Sequence, residues 1–156
     1  MKGWQLKEIC SGGQTGADRA ALDWALIMDF PHGGWCPRGR LAEDGALPHQ
    51  YQLKQTKTRK YSERTRLNIM DSCETAIFST NPVLSGGTLL TAQLTKASAK
   101  PLLHLLAGDA EPARRLQAFV HDHAVHILNV AGPRASGEPS VYDFVMKVLK
   151  EAFGSP

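Results

Sequence analysis

Cys10-Ser11-Gly12-Gly13-Gln14-Thr15-Gly16-Ala17-Asp18 follows the short apolar run Leu6–Cys10 and opens a stretch with helical periodicity. Strand, glycine turn, helix is the order in which backbone N–H groups and a helix N-terminus build an anion site. Ser85-Gly86-Gly87-Thr88 repeats the pattern after Thr75–Ser79. One such turn is weak evidence, because glycines also serve tight turns. Two in one short chain point to an α/β protein whose turns jointly cradle one phosphorylated or oxyanionic ligand.

Outward from the first turn, a helix is expected from Thr15 to about Met28, with Leu22 and Leu26 inward. Thr15 with Asp18 three residues on fits a capping box. Gly33-Gly34-Trp35-Cys36 reads as a second strand stopped by Pro37. Arg38 to Lys60, punctuated by Gly39, Gly45 and Pro48, lacks periodicity apart from a short strand near Tyr51–Gln55, and reads as a mobile lid. A helix over Ser62–Ser72 leads to a third strand, Thr75–Ser79, and the second glycine turn to a helix over Thr88–Ala99. Pro101–Leu106 is a fourth strand, and Glu111-Pro112 starts a helix with proline in its first turn. His126–Val130 is a fifth strand, and Ser140–Phe153 a closing helix with Val141, Val145, Val148 and Leu149 in one stripe.

This alternation predicts a single three-layer Rossmann-like domain over residues 1–156, a mainly parallel five-stranded sheet with helices on both faces. The strand order 2-1-3-4-5 would set the glycine turns side by side at a topological switch point. The α/β class thus rests on the pattern, and the order on the ligand argument.

With 156 residues the chain suits one domain of ordinary size. A net charge of +3 without a basic tail argues against nucleic acid as partner. The N-terminus lacks an apolar signal core and nowhere do about 18 apolar residues run together, so neither secretion nor a membrane is expected. Cys10, Cys36 and Cys73 show no C-x-x-C spacing, which gives neither a disulfide framework nor a zinc site, and suits a cytoplasmic location.

The loops that follow the strands carry the candidate ligand contacts. They are Gly12, Gly13, Gln14, Thr15, Gly16 and Asp18 after the first strand, and Arg38 and Arg40 after the second. Ser85, Gly86, Gly87 and Thr88 follow the third, and Arg134 the fifth. Glycine admits close backbone approach, hydroxyls donate, and arginine binds oxyanions bidentately. Arg64 and Asn68, four apart, share a helix face that turns toward the same pocket. Cys10 and Cys36 close neighbouring strands near its floor. No catalytic residue and no dedicated metal site is evident: G-x-S-x-G, the Walker lysine and H-E-x-x-H are absent.

Ser11–Asp18, Gly34-Trp35-Cys36-Pro37-Arg38-Gly39-Arg40, Glu43-Asp44-Gly45, Arg64-Thr65 with Asn68, Leu84–Thr88 and Asn129–Arg134 together resemble the "putative molybdenum carrier" family. That family is Rossmann-like and related to the lonely guy nucleotide hydrolases, formerly called lysine decarboxylases. The resemblance implies a cytoplasmic homo-oligomer that binds a nucleotide-like ligand, the molybdenum cofactor (a pterin phosphate) or molybdate, with molybdoenzymes as partners. The hydrolases carry a glutamate after their glycine-threonine pair. Here Thr88-Leu89-Leu90-Thr91-Ala92-Gln93 offers no carboxylate, so an acid/base group is missing there. The alternatives are a nucleoside monophosphate phosphoribohydrolase, its acid drawn from Glu43, Asp44 or Glu63, and a nucleotide-sensing module.

Overall fold

The computed structural model describes residues 5–156. In chain order its first elements are β1 (Glu8–Cys10), α1 (Ala17–Ile27), β2 (His32–Gly33), β3 (Trp35–Cys36), β4 (Leu41–Ala42), β5 (Gly45–Ala46) and β6 (Lys54–Gln55). Then come α2 (Tyr61–Asp71), β7 (Glu74–Ser79), α3 (Gly86–Ala97), β8 (Leu102–Leu106), α4 (Pro112–Asp122), β9 (Ile127–Ala131) and α5 (Val141–Phe153).

The central sheet has five strands in the order β2-β1-β9-β7-β8, all paired in parallel. The α/β expectation holds, but the strand order does not. The last strand inserts between the first and the third, with Ile9 opposite Leu128 on one side and Thr75 opposite Asn129 on the other. If the count starts at β9 and passes through α5 to β1, the same sheet reads 3-2-1-4-5, the doubly wound order. The chain is thus a rotated version of that connectivity. Its switch point lies between β9 and β7, not between the two glycine turns.

α1, α4 and α5 pack on one face of the sheet, and α2 and α3 on the other. Trp24, Phe78, Val120, Leu128 and Leu149 are fully buried in the larger core. The Trp24 ring leans on Phe30 and Phe153, and its indole N–H donates to the Gly154 carbonyl at 3.0 Å. The stripe of α5 lies in this core, so it is not free to build a dimer. Among the described residues no helix is long and apolar enough to cross a membrane.

The second strand breaks in two at Gly34, whose φ of +123 suits glycine and where a Cβ would meet the Ser11 carbonyl at 2.4 Å. β2 stays in the central sheet, while β3 pairs with β6 in a small sheet of its own. The segment expected to act as a lid has secondary structure and packing of its own. β4 and β5 form a hairpin, and Leu47, Tyr51 and Leu53 pack with Leu22 and Cys36 in a second core.

Arg40 organises this segment. Its guanidinium donates to the carbonyls of Leu47 (3.1 Å), Leu53 (3.4 Å), Pro48 (2.9 Å) and Tyr51 (2.6 Å). Arg40→Ala is expected to cost about 2 kcal/mol, since hydrogen bonds to a charged group contribute roughly 1.5–3 kcal/mol and some of these carbonyls can turn to water. Hydrogen exchange should accelerate over residues 47–55 while β7 and β9 keep their protection. Unchanged exchange there would count against this role.

Candidate functional site

The carboxyl end of β9 opens into a cavity of about 70 Å³. One water needs about 10–15 Å³ by the same measure, so there is room for a small cluster of waters or a single tetrahedral oxyanion. The β1 turn contributes Gly12 and Gln14, α1 contributes Asp18, and α2 contributes Arg64, Thr65 and Asn68. α3 presents Gly87, Thr88 and Thr91, and β9 with its loop presents Asn129 to Gly132 and Arg134.

Arg64 explains Gly12. The guanidinium lies so close over the turn that a Cβ on Gly12 would sit 1.9 Å from Nη1. The same Nη1 donates to Asp18 Oδ2 at 3.1 Å, and the Tyr61 ring lies 5.3 Å from the Arg64 guanidinium and 5.5 Å from that of Arg134. Burial pushes the Asp18 carboxyl up from its ordinary value, while Arg64, the Gln14 N–H and Arg19 pull it back.

Gln14 Oε1 accepts from the N–H groups of Thr15 (3.0 Å) and Glu43 (2.8 Å), which fixes the amide's orientation. Its Nε2, and Arg64 Nε, are buried without a hydrogen-bond partner among the described residues. α3 begins at Ser85, which makes no side-chain cap bond, so the first-turn N–H groups of this helix lack a capping partner. On the floor, Asn129 Nδ2 donates to Thr75 Oγ1 at 3.2 Å.

The sequence model of the circularly permutated YpsA SLOG family matches residues 9–153. The chain belongs to this family. A crystal structure of a "putative molybdenum carrier protein" from Syntrophus aciditrophicus SB is 41% identical, with a TM-score of 0.94 and 97% of each chain covered. The family resemblance read from the motifs therefore holds. No curated protein matches the chain.

In this family member the cavity gathers Gly12, Gln14, Asp18, Arg64, Asn68, Gly87, Thr88 and Arg134 from the expected residues. Ser85 lines an adjoining groove of about 140 Å³ that shares Thr88. Gly13, Thr15, Gly16, Arg38, Arg40 and Gly86 do not line the cavity. Gly13 faces Leu47 and Leu53, and a Cβ on Gly16 would meet the Pro133 carbonyl at 2.4 Å, so both serve packing. Arg38 is exposed, and the Arg40 donors are spent on carbonyls. Asn68 is half committed already, since its amide pairs with both the N–H (2.7 Å) and the carbonyl (3.0 Å) of Trp35.

The capping box is not formed. Gly16 is the N-cap of α1, Asp18 accepts from Arg64 and the Gln14 N–H, and Thr15 accepts from the Ala135 N–H at 3.1 Å while donating to Glu43. Glu43 also takes the Ser136 hydroxyl at 2.6 Å, and Glu138 takes that of Thr80 at 2.6 Å. These two carboxylates pin the 132–140 loop from both sides and hold Arg134 at the mouth. The hydrogen bonds from Ser136 and Thr15 hold the Glu43 carboxyl below its ordinary value.

None of the carboxylates considered as an acid faces the cavity: Glu43 is on this latch, Asp44 pairs with Arg19 at 3.0 Å, and Glu63 accepts from Thr58. Cys10 stands one contact behind the floor, its thiol 3.7 Å from Asn129 Oδ1 and pushed up by burial, and Cys36 lies in the second core. No cluster of three or more metal-ligating side chains occurs among the described residues. Thr65, Thr91 and Asn129 were not among the expected contacts. Thr91 has a sequence signal in its i+3 spacing from Thr88, and Asn129 in being a polar residue within an apolar strand.

Proposed function

We propose that the cavity holds the phosphate of a small ligand, a pterin phosphate such as the molybdenum cofactor or a nucleotide, and that the protein binds or carries it without transforming it. The observation that carries this reading is the pair of buried, unpaired donors, Gln14 Nε2 and Arg64 Nε, beside the uncapped start of α3. A buried donor without a partner costs about 1–3 kcal/mol. Both orphans are donors, so an oxyanion with several acceptor oxygens satisfies them together, and the helix dipole favours its charge. The adjoining groove, walled by Val83, Leu84 and Pro133, has room for part of a ring. The name of the Syntrophus aciditrophicus relative agrees with a molybdenum-related ligand. Homo-oligomers and molybdoenzyme partners belong to the same reading.

Among the described residues Asp18 is the one carboxylate that lines the cavity, and its Oδ2 is already bound to Arg64 and the Gln14 N–H. Loss of a general acid or base alone costs roughly 10²–10⁴-fold in rate. The test is titration with pterin phosphates and nucleoside monophosphates, with mass spectrometry of any small molecule that copurifies. Saturable binding without release of free base is expected. Release at ordinary enzyme rates, about 1–10³ s⁻¹, would overturn the carrier reading.

A further inference from the structure

We infer that this cavity takes its oxyanion together with one proton, so that it selects hydrogen phosphate or a singly protonated phosphate ester over proton-free sulfate and molybdate. The inference rests on the oxyanion reading above and deepens it. Both hydrogen bonds that reach the Asp18 carboxylate arrive at Oδ2, from Arg64 Nη1 at 3.1 Å and from the Gln14 N–H at 3.3 Å. Oδ1 accepts nothing from any described residue. Oδ1 is also not among the buried, unpartnered atoms, and Asp18 lines the cavity, so the open side of Oδ1 is the cavity itself.

The pocket is thus a set of donors with one acceptor among them. Each ligand oxygen that meets Gln14, Arg64 or the α3 N–H groups gains a hydrogen bond. The oxygen that meets Asp18 Oδ1 gains one only if a proton lies between the two. Without it, two anionic acceptors face each other in a small, water-poor space, which is repulsive.

The charged and titratable groups around Asp18 do not supply that proton. Arg64, from α2, is committed to Oδ2, and Arg19, from α1 itself, pairs with Asp44 at 3.0 Å. Cys10, from β1, is kept as a thiol by burial and bonds toward Asn129 and Asn68. Arg134 stands at the exposed mouth with its guanidinium against Tyr61. The proton therefore comes with the ligand or is taken up from solvent on binding, by the ligand or by Asp18 itself, whose carboxyl burial pushes up. A phosphate ester, whose second pKa is about 6, brings it near neutral pH. Sulfate and fully ionised molybdate bring none, and binding through proton uptake weakens tenfold for each pH unit.

The experiment is calorimetric titration of the full chain with inorganic phosphate, sulfate and molybdate at matched ionic strength, at pH 6 and pH 8, in buffers of different ionisation heat. Phosphate is expected to bind at least about 30-fold more tightly than the other two at pH 6. Any sulfate or molybdate binding should show uptake of one proton and fall with pH. Asp18→Asn keeps an acceptor for Arg64 and the Gln14 N–H and turns a donor toward the ligand. The preference for phosphate should then shrink to within about threefold. Equal binding of the three anions by the parent, or a preference unchanged in Asp18→Asn, overturns the inference alone. Binding of none of them overturns the oxyanion reading itself, and the inference with it. Should Asp18→Asn fail to fold, the proton count on the parent decides: sulfate or molybdate bound without proton uptake overturns the inference.

Discussion

Gly87→Asp is expected to weaken binding of a phosphate ester by at least about a hundredfold while the melting temperature stays within a few degrees of the parent. Gly87 lines the cavity in the first turn of α3, it has no positive φ, and a Cβ built on it meets nothing within 4 Å. The fold therefore accepts the side chain. A carboxylate at this end of a helix is favoured by the dipole and can satisfy first-turn N–H groups, which offsets any local cost. Those are the groups the ligand needs. The substitution places a tethered anion where the free one belongs, and both repulsion and occupancy oppose binding. Thermal melts beside a titration with a pterin or nucleoside phosphate give the answer. Normal affinity in a folded Gly87→Asp protein would show that the start of α3 holds no anion, and the cradle at this turn would be lost.

The strands of the central sheet and the helices that cover it were legible because each has a local cause: apolar runs make the strands, and the 3.6-residue stripe of α5 makes the last helix. The strand order was not, because the apolar run of β9 would suit any interior slot of a parallel sheet. Its slot is set by its neighbours, Ile9 across from Leu128 and Thr75 across from Asn129, and pairing of this kind is not written in one strand's composition. One trace did exist. Asn129 is polar and buried within an apolar strand, and it sits where the Thr75 hydroxyl and the cavity floor meet.

The site was legible at the level of turns and not of side-chain direction. Glycine at 12 and 87 and arginine at 64 and 134 were readable as rim residues. That Arg40 turns inward to four carbonyls was not, because backbone acceptors leave no mark in the sequence. The same holds for Gln14, whose oxygen is fixed by two backbone N–H groups so that its nitrogen is left without a partner. The donor character of the site comes from that geometry.

The two glycine turns, alike in sequence, are expected to respond in opposite ways, and Gly13→Asp is the second half of the comparison. Gly13 has a φ of +80, and a Cβ there would come within 2.6 Å of Leu47 Cδ1 and 2.9 Å of Leu53 Cδ1. Both leucines belong to the second core with Leu22, Cys36 and Tyr51, so a carboxylate would be driven into an apolar wall. The Gly13 carbonyl also receives the Arg19 guanidinium at 3.2–3.3 Å, which any shift of the turn would disturb. Backbone strain of about 1–3 kcal/mol adds to the cost of burying a polar group without partners. The total is expected to reach at least about 3 kcal/mol, or a fall in melting temperature of roughly 6–12 °C for a chain of this size. Ligand affinity of the protein that remains folded should change only a few-fold, because Gly13 points away from the cavity that Gly12 and Gln14 line. A Gly13→Asp protein that melts with the parent yet has lost its ligand would reverse the assignment, making Gly13 the anion contact and the packing of the 38–55 segment incidental.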